Sequence, residues 1–146
     1  MRIALVICVV ACVSACGGSS VGPSEVSGGA ATNVAGTWNG TIVSSNNASE
    51  QLTMVLTQSG SDVSGSWNST SVSWQGQISG AVSGASFTGQ FKFSGTAANG
   101  TVCTGIADVV GPANASTMTW TSASGVVGPS CPAPLPVGLK IDLQRP

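Results

Sequence analysis

From Val34 onward the chain alternates between apolar and polar residues with a period of two. The clearest stretch is Val72-Ser-Trp74-Gln-Gly76-Gln-Ile78-Ser-Gly80-Ala-Val82, where even positions are apolar or glycine and odd ones mostly polar. Side chains in an extended strand point alternately to opposite faces, so this pattern predicts a strand with one buried face and one wet face. Phe87, Phe91 and Phe93 share a face in the same way, as do Leu52, Met54 and Leu56, then Val63, Gly65 and Trp67, and Met118 with Trp120. The last segment, from Val137 to Arg145, alternates with Lys140 and Asp142 facing out. Clusters of Ser, Gly, Asn and Pro separate these runs at 44–49, 59–61, 68–70, 83–85, 97–100 and 111–114 and read as turns. The pattern predicts eight strands at about 34–45, 51–58, 62–68, 71–82, 86–94, 101–110, 115–123 and 137–145, with no helical period between them. Pro132, Pro134 and Pro136 interrupt the last connection, because proline cannot donate to a central ladder. Residues 34–146 are therefore expected to form one all-β, antiparallel domain.

The start of the chain has a different character. Arg2 precedes an apolar run from Ile3 to Ala15, too short for a membrane span of about 20 residues but suited to the core of a signal peptide. The run ends in Val13-Ser14-Ala15-Cys16, which resembles the lipobox of bacterial lipoproteins, where small residues precede a cysteine whose thiol accepts diacylglycerol before cleavage in front of it. That resemblance implies a signal peptide at 1–15, lipid attachment at Cys16, and a membrane partner reached through N-terminal acyl chains. Gly17 stands where an Asp marks inner-membrane retention in many Gram-negative lipoproteins. The resemblance therefore implies the outer membrane of a bacterial cell envelope, facing the periplasm or the cell surface. An ordinary secreted protein cut nearby is the alternative. Residues 16–33 are rich in Gly and Ser, bury too little apolar surface to order themselves, and read as a tether with a reach on the order of 20 Å.

Cys8 and Cys12 fall within the expected signal peptide, and Cys16 is the acylated position. Cys103 and Cys131 then remain for the domain. An even pair in an oxidising compartment is most simply a disulfide; free or metal-binding thiols are the alternative.

Eight short antiparallel strands can close into an up-and-down barrel, which removes both sheet edges, or stack as a two-sheet sandwich. Gly36-Thr-Trp38 heads the first strand and Arg145 ends the last. This pairing resembles the calycin superfamily of lipocalin, avidin and fatty-acid-binding barrels, in which a G-x-W tryptophan plugs one end of the barrel and a basic residue near the C-terminus packs across its indole. The resemblance implies barrel closure through Trp38 and Arg145, with a cation–π contact between them. The chain also resembles small envelope lipoproteins with repeated G-x-W-x-G and V-S-G elements. It lacks the other lipocalin signatures and the aromatic and Ser/Asn set of biotin-binding avidins, so no ligand comes with the architecture.

Composition narrows the chemistry. The 146 residues carry four Lys or Arg and five Asp or Glu, 6% charged, against about 25% in an ordinary soluble domain. There is no His and no Tyr. Their absence excludes a Ser/His/Asp triad, a Cys/His pair and a His-based zinc site, and no G-x-S-x-G or S-x-x-K motif occurs within residues 34–146. A net charge of −1 with so few cations excludes a phosphate-tracking nucleic-acid surface. Glu50, Asp62 and Asp108 fall near strand ends, where a carboxylate pair or a calcium site competes with plain surface carboxylates. Five Asn-x-Ser/Thr sequons, at Asn39, Asn47, Asn68, Asn99 and Asn114, reflect the richness in these residues rather than glycosylation in a bacterial context.

Trp67, Trp74 and Trp120, with Phe87, Phe91 and Phe93, carry the remaining candidate chemistry. They either line a cavity for one small apolar or uncharged ligand or fill the core, helped by neighbouring glycines. The expected function is a non-enzymatic, lipid-anchored envelope protein, monomeric and without a cofactor or metal, that binds a small hydrophobic ligand inside its barrel. The alternative is a structural or protein-binding lipoprotein, such as a hydrolase inhibitor, that works through loops or a strand edge.

Overall fold

The computed structural model describes residues 30–44, 47–97, 100–128, 131 and 138–146. The expected signal peptide, Cys16 and the tether as far as residue 29 lie outside the described residues, as do Pro132, Pro134 and Pro136. The chain runs through β1 (Gly36–Val43), β2 (Ser49–Ser59), β3 (Asp62–Ser69), β4 (Trp74–Ser83), β5 (Ser86–Thr96), β6 (Val102–Pro112), β7 (Thr117–Val127) and β8 (Lys140–Gln144). Each strand pairs antiparallel with the next, and β8 returns to β1, so the sheet closes into an eight-stranded up-and-down barrel. The closing ladder runs from Asn39 opposite Gln144 to Val43 opposite Lys140. A sandwich would leave two sheets with free edges; here every strand has a partner on both sides.

The period-two pattern maps directly onto inside and outside. Leu52, Met54 and Leu56, Phe87, Phe91 and Phe93, and Ile141 and Leu143 all point inward into one core. Two of the hairpins turn in two residues, Gly60-Ser61 and Gly84-Ala85, and in both the glycine has a positive φ, 61° and 57°. Tight hairpins favour that conformation because it matches the twist of the flanking strands. These turns, the β6–β7 turn, the N-terminal segment and the C-terminus share one end of the barrel, which we call the near end. The far end carries the β1–β2, β3–β4, β5–β6 and β7–β8 connections.

Several boundaries differ from the sequence expectation. Val72 sits before β4 and is 42% exposed, not on the buried face, because its carbonyl accepts from the Trp74 backbone in a tight turn. Strand β7 runs on to Val127 past a register shift opposite Asp108 and Val109. There Ser122 turns away to β8: its backbone N–H donates to the Leu139 carbonyl and its hydroxyl accepts from the Leu139 N–H. Residues ahead of Val34 also touch the barrel. Ala31 packs on the core, and Thr32 donates to the Gly84 carbonyl at 2.9 Å.

Candidate functional site

The near end is closed by the N-terminal segment. Val34 is wholly buried and its carbonyl accepts from the Trp38 indole N–H at 2.9 Å. Gln58, at the end of β2, accepts from the Val34 N–H and donates to the carbonyls of Thr32 and Gly60. Arg145 lies with its guanidinium carbon 4.8 Å from the centre of the Trp38 ring, and it donates to the Asn33 carbonyl at 3.1 Å. The two residues singled out at opposite ends of the sequence thus meet over the first and last strands, joined by cation–π attraction and by a shared hold on the entering chain. Toward the far end, Lys140 and Asp142 form an ion pair at 2.8 Å on the outside of β8. Burial alone would raise the Asp142 carboxyl, but hydrogen bonds from Lys140 and Thr119 and the Lys140 charge outweigh it and hold the group below its ordinary value.

The six aromatic side chains expected to line or fill the barrel are brought together in three stacked pairs. Phe87 lies on Trp120 with centroids 4.3 Å apart, Trp67 on Phe91 at 4.6 Å, and Trp74 on Phe93 at 5.8 Å. Their rings also cover interior glycines: Phe87 lies over Gly80 and Gly89, Trp67 over Gly76, Trp74 over Gly95 and Phe93 over Gly105. Five of the six are at most 6% exposed, and only Trp74, at the far end, is half-buried. An open cup would leave its lining wet, whereas this lining is dry from Val34 at the near end to Cys103 at the far end. The geometry corresponds to the core-filling role of the two weighed for these residues. One polar atom stands apart. The Trp67 indole donates to the Lys92 carbonyl at 3.0 Å, but the Trp120 indole N–H is buried without a partner among the described residues.

Cys103 and Cys131 are joined in a disulfide that pins the β7–β8 connection to the top of β6. The three carboxylates considered as a site are not brought together. Glu50 stands at the far end of β2, bonded to Ser71, and Asp62 at the near end of β3. Asp108 lies midway along β6, held by Ser124 and Gln90. Among the described residues no group of three Cys, Asp or Glu side chains is placed to hold a metal ion. Comparison with protein-family models, with curated proteins and with solved structures finds no match. The barrel is therefore established by the strand pairing of this chain itself.

The exterior divides into two unlike regions. Across β1 to β5 it is mostly hydroxyl and amide, with Thr53 bonded to Asn39 and Thr57 to Ser64, and with Val55 of β2 standing out as an apolar side chain 48% exposed. A shallow outer groove of about 530 Å³ crosses this region between Thr57, Ser64, Gln77, Ser79 and Lys92. On β6 and β7 the outward side chains Val102, Ile106, Val110 and Val126 are 62%, 39%, 43% and 75% exposed. Sequence reasoning passed over this stripe because it followed only the inward parity of β6. The signal was present in Thr101-Val-Cys-Thr-Gly-Ile-Ala-Asp-Val-Val110, which carries apolar residues on both parities.

Proposed function

We propose that this is a non-enzymatic lipoprotein of the bacterial envelope, anchored through Cys16, whose calycin-like barrel is a rigid scaffold that acts by contact through its outer surface. The observation that carries this reading is the dry, stacked interior: with the aromatic side chains engaged with one another and the near end covered by the N-terminal segment, recognition falls to the outside. That outside is largely uncharged, so it offers little long-range steering and suits a short-range contact with a neighbouring envelope protein, held close by the tether. A second reading, a small uncharged ligand inside the barrel, draws support from the unpartnered Trp120 N–H, which a ligand acceptor would satisfy.

Two measurements test the proposal. Intact mass of the protein from its host should show a chain beginning at an acylated Cys16; an unmodified terminus elsewhere refutes the anchor. Native mass spectrometry of the same preparation should show no retained small molecule, and a stoichiometric bound compound would transfer the function to the interior.

A further inference from the structure

We infer that the β5–β7 face of the barrel is a docking surface for a second copy of this chain. Four of the six exposed large apolar side chains among the described residues gather there, whereas the other two, Val55 and Val72, stand apart from it. Ile106 lies directly across the β6–β7 ladder from Val126, with Val102 and Val110 above and below it on the same strand. From Val102 to Val110 these side chains span about 27 Å at strand rise, alternating on the outward face of β6 with Thr104 and Asp108. Concentrated apolar exposure of this kind marks an interaction site on a soluble surface.

The charges beside the stripe identify the partner. Lys92 faces out on β5 directly opposite Ile106, and Asp108 faces out on β6 two residues beyond it. Lys140 is paired with Asp142, and Arg145 is engaged with Trp38 and Asn33. Lys92 is thus the basic side chain that makes no ion pair or cation–π contact among the described residues. One cation and one anion flanking an apolar centre form a self-complementary patch, as a two-fold interface requires. An axis crossing the strands between Ile106 and Asp108 sets Lys92 of each copy beside Asp108 of the other, twice over, and covers the valines. A lipid surface fits less well, because Asp108 would be carried into an interface that disfavours a carboxylate.

Stable interfaces bury about 800 Å² per partner, and a strip three strands wide and about 27 Å long supplies roughly half of that. So small an interface belongs with weak, transient associations, and the shared membrane plane of the proposed anchor would strengthen it by raising the local concentration. The assignment itself does not depend on that anchor, so its failure and the anchor's are read separately, by association state and by intact mass.

The full-length mature chain, extracted in dodecyl maltoside, should sediment as a concentration-dependent dimer. Lys92→Asp, Asp108→Lys and Val126→Asp should each raise the dissociation constant at least tenfold. An equimolar mixture of Lys92→Asp and Asp108→Lys should recover the dimer, because each then offers the charge the other lacks. Far-UV circular dichroism and an intact Cys103–Cys131 bond verify that each variant is folded. A monomer at every concentration, or a dimer that all three substitutions leave unchanged, overturns the inference. So does failure of the mixed pair to associate, or binding to phosphatidylglycerol vesicles that Val126→Asp abolishes while no dimer forms.

Discussion

At the scale of single residues, Trp67 and Trp120 make an informative pair, since they are alike in burial and stacking and differ in one hydrogen bond. The Trp67 N–H satisfies the Lys92 carbonyl, whereas the Trp120 N–H is already unsatisfied. Replacing Trp67 by Phe removes packing and a bond; replacing Trp120 by Phe removes packing and an uncompensated donor. Trp67→Phe is therefore expected to be the more destabilising by about 1–2 kcal/mol in chemical denaturation. Equal losses would mean that a buried water serves the Trp120 N–H. The residue scale is also where sequence reading reached furthest. Trp38 and Arg145 are 107 residues apart, yet strand parity together with the calycin resemblance pointed to their contact. The pairing of Trp67 with Phe91 was not legible, because alternation assigns a side chain to a face and leaves its neighbour on that face open.

At the scale of elements, glycine decides how closely strands and rings can approach. At Gly40, in β1 opposite Leu143 of β8, an added Cβ would overlap the Asp142 carbonyl of the neighbouring strand. At Gly60, in the β2–β3 turn, the space around a Cβ is open and only the left-handed backbone resists a side chain. Gly60→Ala should accordingly cost about 1–2 kcal/mol, the penalty of that conformation. Gly40→Ala should cost about 3 kcal/mol or more, since backbone must move in the ladder that closes the barrel. Thermal denaturation monitored by circular dichroism checks both, and similar shifts for the two would remove the distinction. Strand positions were legible to within a few residues wherever a glycine or asparagine turn bounded an alternating run, as at Gly60 and Gly84. The far end of β7 was not, because its course past Ser122 depends on bonds to Leu139, in the segment that leads into β8.

Over the whole molecule, the Cys103–Cys131 bond spans 28 residues and ties down the longest connection of the barrel. Chain-entropy reasoning assigns such a cross-link roughly 3.5 kcal/mol of stability through the unfolded state. Replacing both cysteines by Ala should lower the melting temperature by 10 °C or more for a domain of this size, with the far end of β6 and the start of β8 losing amide-exchange protection first. A loss confined to the near end would contradict the arrangement of the connections described above. The filled centre sets the exterior of the described residues apart from the core, and the apolar side chains on β6 and β7 are its most exposed apolar feature.

The sequence by itself determined which side chains face inward, where the tight hairpins turn, and that two cysteines remain for the domain, because these follow from a two-residue period and from local turn chemistry. Only the tertiary structure decided closure, since barrel and sandwich share the same period and differ in whether β1 meets β8. It also decided that the aromatic side chains stack across the interior and cover glycines, which depends on register between strands, and that the second apolar parity of β6 lies bare on the surface. A strand carries two apolar faces at no local cost. What covers each face is settled by the rest of the molecule, or by another one.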